Sequence, residues 1–245
     1  MKILSSNELP IDYQINKEEL LIRAKEKQEI YLENVTCSRI KIEVFENSQI
    51  IIREIKDEDV KPSQYDIILK ENSQLSYNRF HKLNNYHEDI NIHLSGEKSK
   101  IIYNASFLIT DPHNCCLNIY HDYPLTTSII NNHGVISKEG YLDLTVNAYV
   151  PKGKIKSYLK QENKVIFLDD NKSVIKPNLL IEEDDVEAFH GASLGKFNDE
   201  EIFYLQTRGF DKDSATKLLV RGFLYSNLDF KENMFCRINK NISEE

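Results

Sequence analysis

From about Tyr31 to about Glu183 apolar and polar residues alternate with a period of two, most clearly in Asp89-Ile90-Asn91-Ile92-His93-Leu94 and Tyr141-Leu142-Asp143-Leu144-Thr145-Val146-Asn147-Ala148. Successive side chains of an extended chain point to opposite faces, so this pattern predicts half-buried strands. Similar runs cover 41–46, 49–55, 65–70, 74–80, 100–109, 117–123, 128–136, 164–168 and 179–182, with short polar turns such as Glu-Asn-Ser-Gln between them. Strand follows strand with no helix between. That excludes a doubly wound α/β sheet, whose parallel strands need helical crossovers, and leaves a sandwich, a barrel or a solenoid. No fixed-period repeat selects among the three. One hint of a coil length is the recurrence of Asn47-Ser48-Gln49-Ile50 as Asn72-Ser73-Gln74-Leu75, 25 residues on.

The end of the chain changes character. Asn198 is placed to cap a helix over Asp199–Arg208 that carries Ile202, Phe203 and Leu205 and stops at Gly209. Asp211 can cap a second helix over Lys212–Leu224, with Ala215, Leu218, Leu219 and Phe223 on its apolar side and Lys217 and Arg221 on the wet side. The stretch from Lys231 to Glu245 reads as a charged, loose tail. Lys17–Lys27 reads as a brief helix or a lead-in strand. The organisation expected is a lead-in over 1–28, a β core over 29–197, a helical domain over 198–230 and a tail over 231–245.

Composition narrows the function. The net charge is −8, and Lys and Arg are scattered among acids, which argues against nucleic acid as a partner. No apolar run reaches the roughly 18 residues that span a bilayer, and the opening residues lack a signal-peptide core. A cytoplasmic protein without membrane contact is expected. Cys37, Cys115, Cys116 and Cys236 make no CxxC pair or zinc-ligand spacing and read as buried or semi-buried thiols, with Cys115 and Cys116 on opposite strand faces. His81, His87, His93, His113, His121 and His133 read as surface or strand-edge polar residues, and His87 and His93 would share a face if one strand held both. The acidic run Glu182-Glu183-Asp184-Asp185 lacks the spacing of a calcium loop. No phosphate-binding glycine loop, nucleophile elbow or HExxH helix occurs.

The segment from Pro177 to Gly195, including Glu187-Ala188-Phe189-His190-Gly191-Ala192-Ser193, resembles the C-terminal signature of the SufB/SufD family. Ile202-Phe203-Tyr204-Leu205-Gln206-Thr207-Arg208-Gly209 is similar to that family's FYL-x-[ST]-R-G element, and Ala215 to Phe223 to its closing helix. The likeness extends over about Leu117–Leu224. It implies a right-handed parallel β-helix followed by a small C-terminal helical domain. It also implies a SufD-like scaffold component of the SUF iron–sulfur cluster assembly complex, not itself an enzyme. Such a subunit pairs with a SufB-like subunit and docks a SufC-type ABC ATPase through its C-terminal helices. The cysteine that SufB-type chains carry is Ile181 here, and the glutamate after their histidine is Gly191, which points to the SufD side. The helical region usual before the β-helix is expected to be missing.

On this resemblance His190 is the candidate iron or cluster ligand at the subunit interface, opposed by the plain reading of a turn histidine bonded to a carbonyl. The cluster would be transient, with no cofactor bound by the isolated chain and further ligands, a thiolate among them, coming from the partner. Ile202, Phe203, Tyr204, Arg208, Gly209 and Phe223 are the candidate partner-binding set, against the plain reading of a helix hairpin's own core. Two alternatives stay open: a self-associating, homodimeric β-helix assembly protein, and a carbohydrate-active enzyme on a β-solenoid. Absent Trp and the lack of an export signal count against the second.

Overall fold

The computed structural model describes residues 2–5, 12–57, 63–82, 86–170 and 172–243. The strands are β1 (Lys2–Ser5), β2 (Asp12–Ile15), β3 (Glu19–Ala24), β4 (Lys27–Glu33), β5 (Arg39–Val44), β6 (Gln49–Lys56), β7 (Ser63–Leu69) and β8 (Gln74–Lys82). They continue as β9 (Tyr86–Leu94), β10 (Lys100–Ile109), β11 (Pro112–Tyr120), β12 (Thr127–Ile136), β13 (Tyr141–Val150), β14 (Ser157–Phe167), β15 (Val174–Ile181) and β16 (Val186–Gly195). Three helices close the chain: α1 (Asp199–Thr207), α2 (Lys212–Tyr225) and α3 (Glu232–Ser243).

Two eight-stranded sheets arise among these residues, in the orders β1-β4-β6-β8-β10-β12-β14-β16 and β2-β3-β5-β7-β9-β11-β13-β15. From β3 onward the chain alternates between the sheets and every lateral pairing is parallel. This is a parallel β-solenoid followed by helices, as the strand order and the resemblance led us to expect. Only β1 on β4 and β2 on β3 run antiparallel, and they lie over the first coil. The Lys17–Lys27 stretch is extended, since β3 already pairs in parallel with β5. Alternate residues point into the lumen and are buried, among them Leu20, Ile42, Ile67, Ile92, Ile119 and Val146. Each such aliphatic side chain contributes about 1.5–3 kcal/mol by leaving water.

The missing repeat has a physical cause. Lys27 lies beside Gln49, Gln49 beside Gln74, Gln74 beside Lys100, Lys100 beside Thr127 and Thr127 beside Tyr158, so successive coils take 22, 25, 26, 27 and 31 residues. What recurs is a corner. Asn47, Asn72, Lys98, Leu125 and Lys156 all have positive φ, and each is followed by a buried hydroxyl residue: Ser48, Ser73, Ser99, Thr126 or Ser157. Ser73, Ser99, Thr126 and Ser157 each close the corner by donating to the carbonyl three residues back, at 2.6–3.0 Å. Asparagine tolerates the left-handed region best among non-glycine residues, so only the first two corners carried a sequence signature. The amide of Asn72 donates to Asn47 Oδ1 at 2.8 Å, one coil below.

The helices cover the outer face of the sheet that holds β6 to β14. Ile55, Phe80, Leu108 and Val135 form a second apolar layer there with Val220, Leu224 and Leu228, and with Met234, Ile238 and Ile242. The end of α2 is tied to that face, because Ser106 Oγ donates to the Leu224 carbonyl at 2.9 Å and His133 Nδ1 to the Phe223 carbonyl at 3.0 Å. These two side chains satisfy carbonyls that a helix end leaves orphaned. The segment read as a loose tail is instead α3. Its apolar residues Met234, Ile238 and Ile242 recur every four and are buried, while Arg237 pairs with Asp57 and Glu33 on the solenoid flank. Ile238→Ala should therefore cost about 2–4 kcal/mol, read as a lower urea midpoint with the helical signal retained at zero denaturant. An unchanged midpoint would mean that α3 contributes nothing to the fold.

Candidate functional site

The last coil differs from every other. β15 is hydrogen-bonded only to β13 and β16 only to β14, so both strands leave one backbone edge without a partner strand among the described residues. No residue of either strand is buried. Leu180 is 47% exposed and Phe189 54% on the outer faces, and Leu194 is 46% exposed at an inward position whose register partner Val165 is buried.

His190 sits in this mouth. Register aligns it with Gln161 and Ile130, an inward-facing column, so its ring stands where the next coil would fill the lumen. Its Nδ1 lies 3.2 Å from the Pro177 carbonyl. A carbonyl only accepts, so Nδ1 is the donor and, in the neutral ring, Nε2 keeps the lone pair able to bind a metal. The residue is in a strand and not in a turn, although its partner is a carbonyl as the plain reading had it. Beneath it Gln161 is buried, with Nε2 3.4 Å from the Asn178 carbonyl and Oε1 lacking a hydrogen-bond partner among the described residues. Asn163 donates to the Gly191 carbonyl at 3.3 Å and accepts from Asn132 at 2.8 Å. Among the described residues no group of three or more His, Cys, Asp and Glu side chains could hold a metal ion, so a site at His190 needs ligands from elsewhere.

A second exposed surface lies on α1 and the adjoining face of α2. Asn198 caps α1 through a reciprocal capping box with Glu201, Gly209 at φ +96° ends it, and none of its residues is buried. Phe203 is 66% exposed and Tyr204 56%. Arg208 donates to the Tyr204 hydroxyl at 3.1 Å and lies over its ring, 5.2 Å from the centroid. Tyr204, Leu205, Leu218 and Leu219 line a groove of about 410 Å³ with Glu200 and Glu201 on its rim. Ile202 is half-buried. Phe223 is turned the other way: it stacks on His133 at 4.5 Å and packs edge-on to Phe197, so it belongs to the layer beneath α2.

The sequence reading missed a fully buried charged cluster inside the solenoid. Arg79 donates through Nε to Glu54 at 2.7 Å, through both terminal nitrogens to Glu88 at 2.6 and 3.2 Å, and to the Tyr103 hydroxyl at 2.7 Å. Tyr65 and Tyr77 donate to the two oxygens of Glu54 at 2.9 and 2.8 Å. Lys56 reaches Ser63 at 3.1 Å and lies over the Tyr65 ring. Burial pushes both carboxyl pKa values up, but the Arg79 charge outweighs it: Glu54 is held well below the usual range and Glu88 at about 2. Burial lowers His81, and takes His113 to about 3 and His121 to about 4, so these three histidines are neutral interior residues and not the surface groups expected from sequence. His87 and His93 do lie on one strand, β9, paired with Asp89 and Asp122. Cys37 and Cys115 are buried and Cys116 half-buried, as expected, whereas Cys236 on α3 is exposed. Strand parity would have exposed the cluster, since residues 75, 77, 79 and 81 of β8 all face inward.

Two charges of each sign balance in this closed interior, which makes the cluster a fixed structural element. Removing one member strands its partners, so Arg79→Met should cost about 3–5 kcal/mol. Arg79→Lys should recover part of that by keeping the charge while losing the fork; equilibrium urea unfolding measures both. The histidines set a pH dependence. With folded values near 3 and 4 and unfolded values near 6.5, the unfolded chain binds more protons as pH falls from 6.5 to 4. Stability drops across that window. The carboxylates act lower, their contribution present above about pH 4.5 and lost, for Glu88, towards 2. The urea midpoint should fall from pH 7.5 to 4.5, and His113→Phe should flatten the fall.

A family described as "SUF system FeS cluster assembly, SufBD core domain" matches residues 15–223. The chain is 32% identical over 112 residues to the iron-sulfur cluster assembly protein SufD of Bacillus subtilis, covering 45% of this chain and 26% of that protein. To SufD of Escherichia coli it is 29% identical over 99 residues, covering 40% and 22%. A SufBD family protein of Mycobacterium leprae is 52% identical over 48 residues, covering 19% and 12%. The chain thus spans about a quarter of the length of the SufD proteins it matches. Among the described residues no helix is long and apolar enough to cross a membrane. With the core match running over most of a parallel β-solenoid and into its helices, this chain belongs to the SufBD family of the SUF iron–sulfur cluster assembly system.

Proposed function

We propose that this chain is a SufD-type, non-catalytic scaffold subunit that pairs with a SufB-like subunit through the open end of its solenoid and docks a SufC-type ABC ATPase on α1 and α2. The observation that carries the reading is the uncovered last coil. Two strand edges and the apolar side chains Leu180, Phe189 and Leu194 stand exposed where every other coil is stacked on both sides. An edge of that kind is a template for another chain's strand. Its mouth also holds His190 with Nε2 directed away from the Pro177 carbonyl. The nascent cluster is cargo held between the subunits: His190 supplies one nitrogen and the partner the remaining ligands, in keeping with the preference of clusters for thiolate.

The ATPase contact rests on Phe203, Tyr204 and the half-buried Ile202. Arg208 fixes the Tyr204 ring, Gly209 turns the chain into α2, and Phe223 supports that helix from below. Removing the helices is a poor test because it would uncover Ile55, Phe80, Leu108 and Val135. Phe203→Ser combined with Tyr204→Ser should abolish ATPase co-purification while leaving the urea midpoint unchanged. Retained binding would move the contact elsewhere.

Light scattering on the chain alone and with a SufB-like subunit tests the pairing: a one-to-one heterodimer is expected, and a stable homodimer that refuses the other subunit would replace this reading with self-association. In the reconstituted complex His190→Ala should leave assembly intact and lower cluster yield several-fold, followed by the visible absorbance of the bound cluster. Unchanged yield would remove His190 from the site.

A further inference from the structure

A side-chain ladder runs across the outer face of the sheet that ends in β15. Asn91 donates its amide to Asp66 at 3.4 Å, Asn118 to Asn91 at 3.1 Å, Asn147 to Asn118 at 2.8 Å and Asn178 to Asn147 at 2.8 Å. The five residues stand in one register column. The ladder has a direction. Each asparagine gives its Nδ2 to the coil below, and Asp66, Asn91, Asn118 and Asn147 each take a donor from the coil above on Oδ1. Asn178 is the last rung, exposed on the open edge, with its Nδ2 already committed to Asn147. Its Oδ1 is therefore presented towards the position of the next strand. A parallel column ends beside it: His93 stacks on Tyr120 at 4.6 Å and Tyr120 on Tyr149 at 4.8 Å, and the next position in register is the exposed Leu180.

We infer that Asn178 sets the register of the subunit contact, by accepting a hydrogen bond from a carboxamide side chain, an asparagine or a glutamine, on the partner strand that lies along β15. This rests on the proposed pairing with a SufB-like subunit and adds to it the chemistry of the matching position. Continuity carries the argument. Four successive hydrogen bonds repeat one donor-to-acceptor geometry, and a strand added to the edge would supply the donor of a fifth. The same strand places an apolar or aromatic side chain over Leu180. Because side chains alternate between faces, a slip of one residue would remove the donor from Asn178 and invert the whole partner face, so the amide acts on register more than on gross affinity.

The test measures the dissociation constant of the complex with the SufB-like subunit by titration, for three variants. Asn178→Ala removes the acceptor and should weaken pairing up to about tenfold, the range of one hydrogen bond. Asn178→Asp keeps an outward acceptor, as Asp66 does at the ladder's start, and should stay within about threefold of the parent. Asn118→Ala breaks the ladder two coils inside and controls for loss of stability while the Asn178–Asn147 bond stays in place; it should pair like the parent. The inference is overturned if Asn178→Ala pairs as tightly as the parent, if Asn178→Asp is as weak as Asn178→Ala, or if Asn118→Ala is equally weak. A parent chain that does not bind the SufB-like subunit at all sinks the pairing itself, and this inference with it. A parent that binds while Asn178→Ala is silent sinks only the role of Asn178.

Discussion

Each coil of a parallel solenoid hydrogen-bonds to the one before and the one after, so the stack cannot end without exposing a row of N–H and C=O groups. The two ends of this chain meet that constraint differently. At the first coil the chain doubles back, laying β1 on β4 and β2 on β3 in antiparallel fashion. At the last coil β15 and β16 carry no such strand among the described residues. The difference makes the two ends unlike, antiparallel strands closing one and a bare parallel coil with His190 in its mouth forming the other.

Between the ends, polar groups do what apolar packing alone would leave undetermined. Aliphatic residues stacked in columns permit neighbouring coils to slide, because one isoleucine packs on another with little directional preference. The hydroxyl corners, the asparagine ladder and the Glu54–Arg79–Glu88 cluster each demand a particular neighbour at a particular height. Buried charge is an uncertain source of net stability, since desolvation consumes most of the Coulombic gain. Its effect here is on register: Arg79 of β8 is bonded at once to Glu54 of β6 and Glu88 of β9, which locks two coils and both sheets together.

The architecture was legible in the sequence, and the reasons are specific. Period-two alternation without helical crossovers left three all-β folds, and the family resemblance from Pro177 to Gly209 selected the solenoid. The corner residues Asn47 and Asn72 betrayed the coil length once. They could not do so again because later corners use Lys98, Leu125 and Lys156, and because the coils lengthen along the stack. The interior position of the histidines is hidden for a related reason. His81 and His113 look polar in isolation, and only exact strand boundaries reveal that their parity matches that of buried neighbours. The α3 segment reads as a tail because charged and amide residues make up half of it, although Met234, Ile238 and Ile242 keep helical spacing. His190 stands out in the sequence through the segment that carries the family resemblance, but nothing there tells that it faces the lumen, since that depends on register with Gln161.

The two exposed surfaces are also mechanically close. Only residues 196–198 separate β16 from α1, and Asn198 spends its side chain and backbone on the capping box that fixes where the helix begins. Any force applied to Phe203 and Tyr204 therefore reaches the β16 edge through three residues, with Lys196 held to Asp170 at 2.7 Å on the way. The other end of the helical unit is anchored firmly, through bonds from Ser106 of β10 and His133 of β12 to α2 and through Arg237 of α3. A partner that pulls on α1 thus works against a body pinned behind it and a strand edge in front of it. On the proposed reading that is the geometry by which an ATPase cycle would be felt at the subunit contact, because α1, alone of the helices among the described residues, has no buried residue of its own to resist displacement.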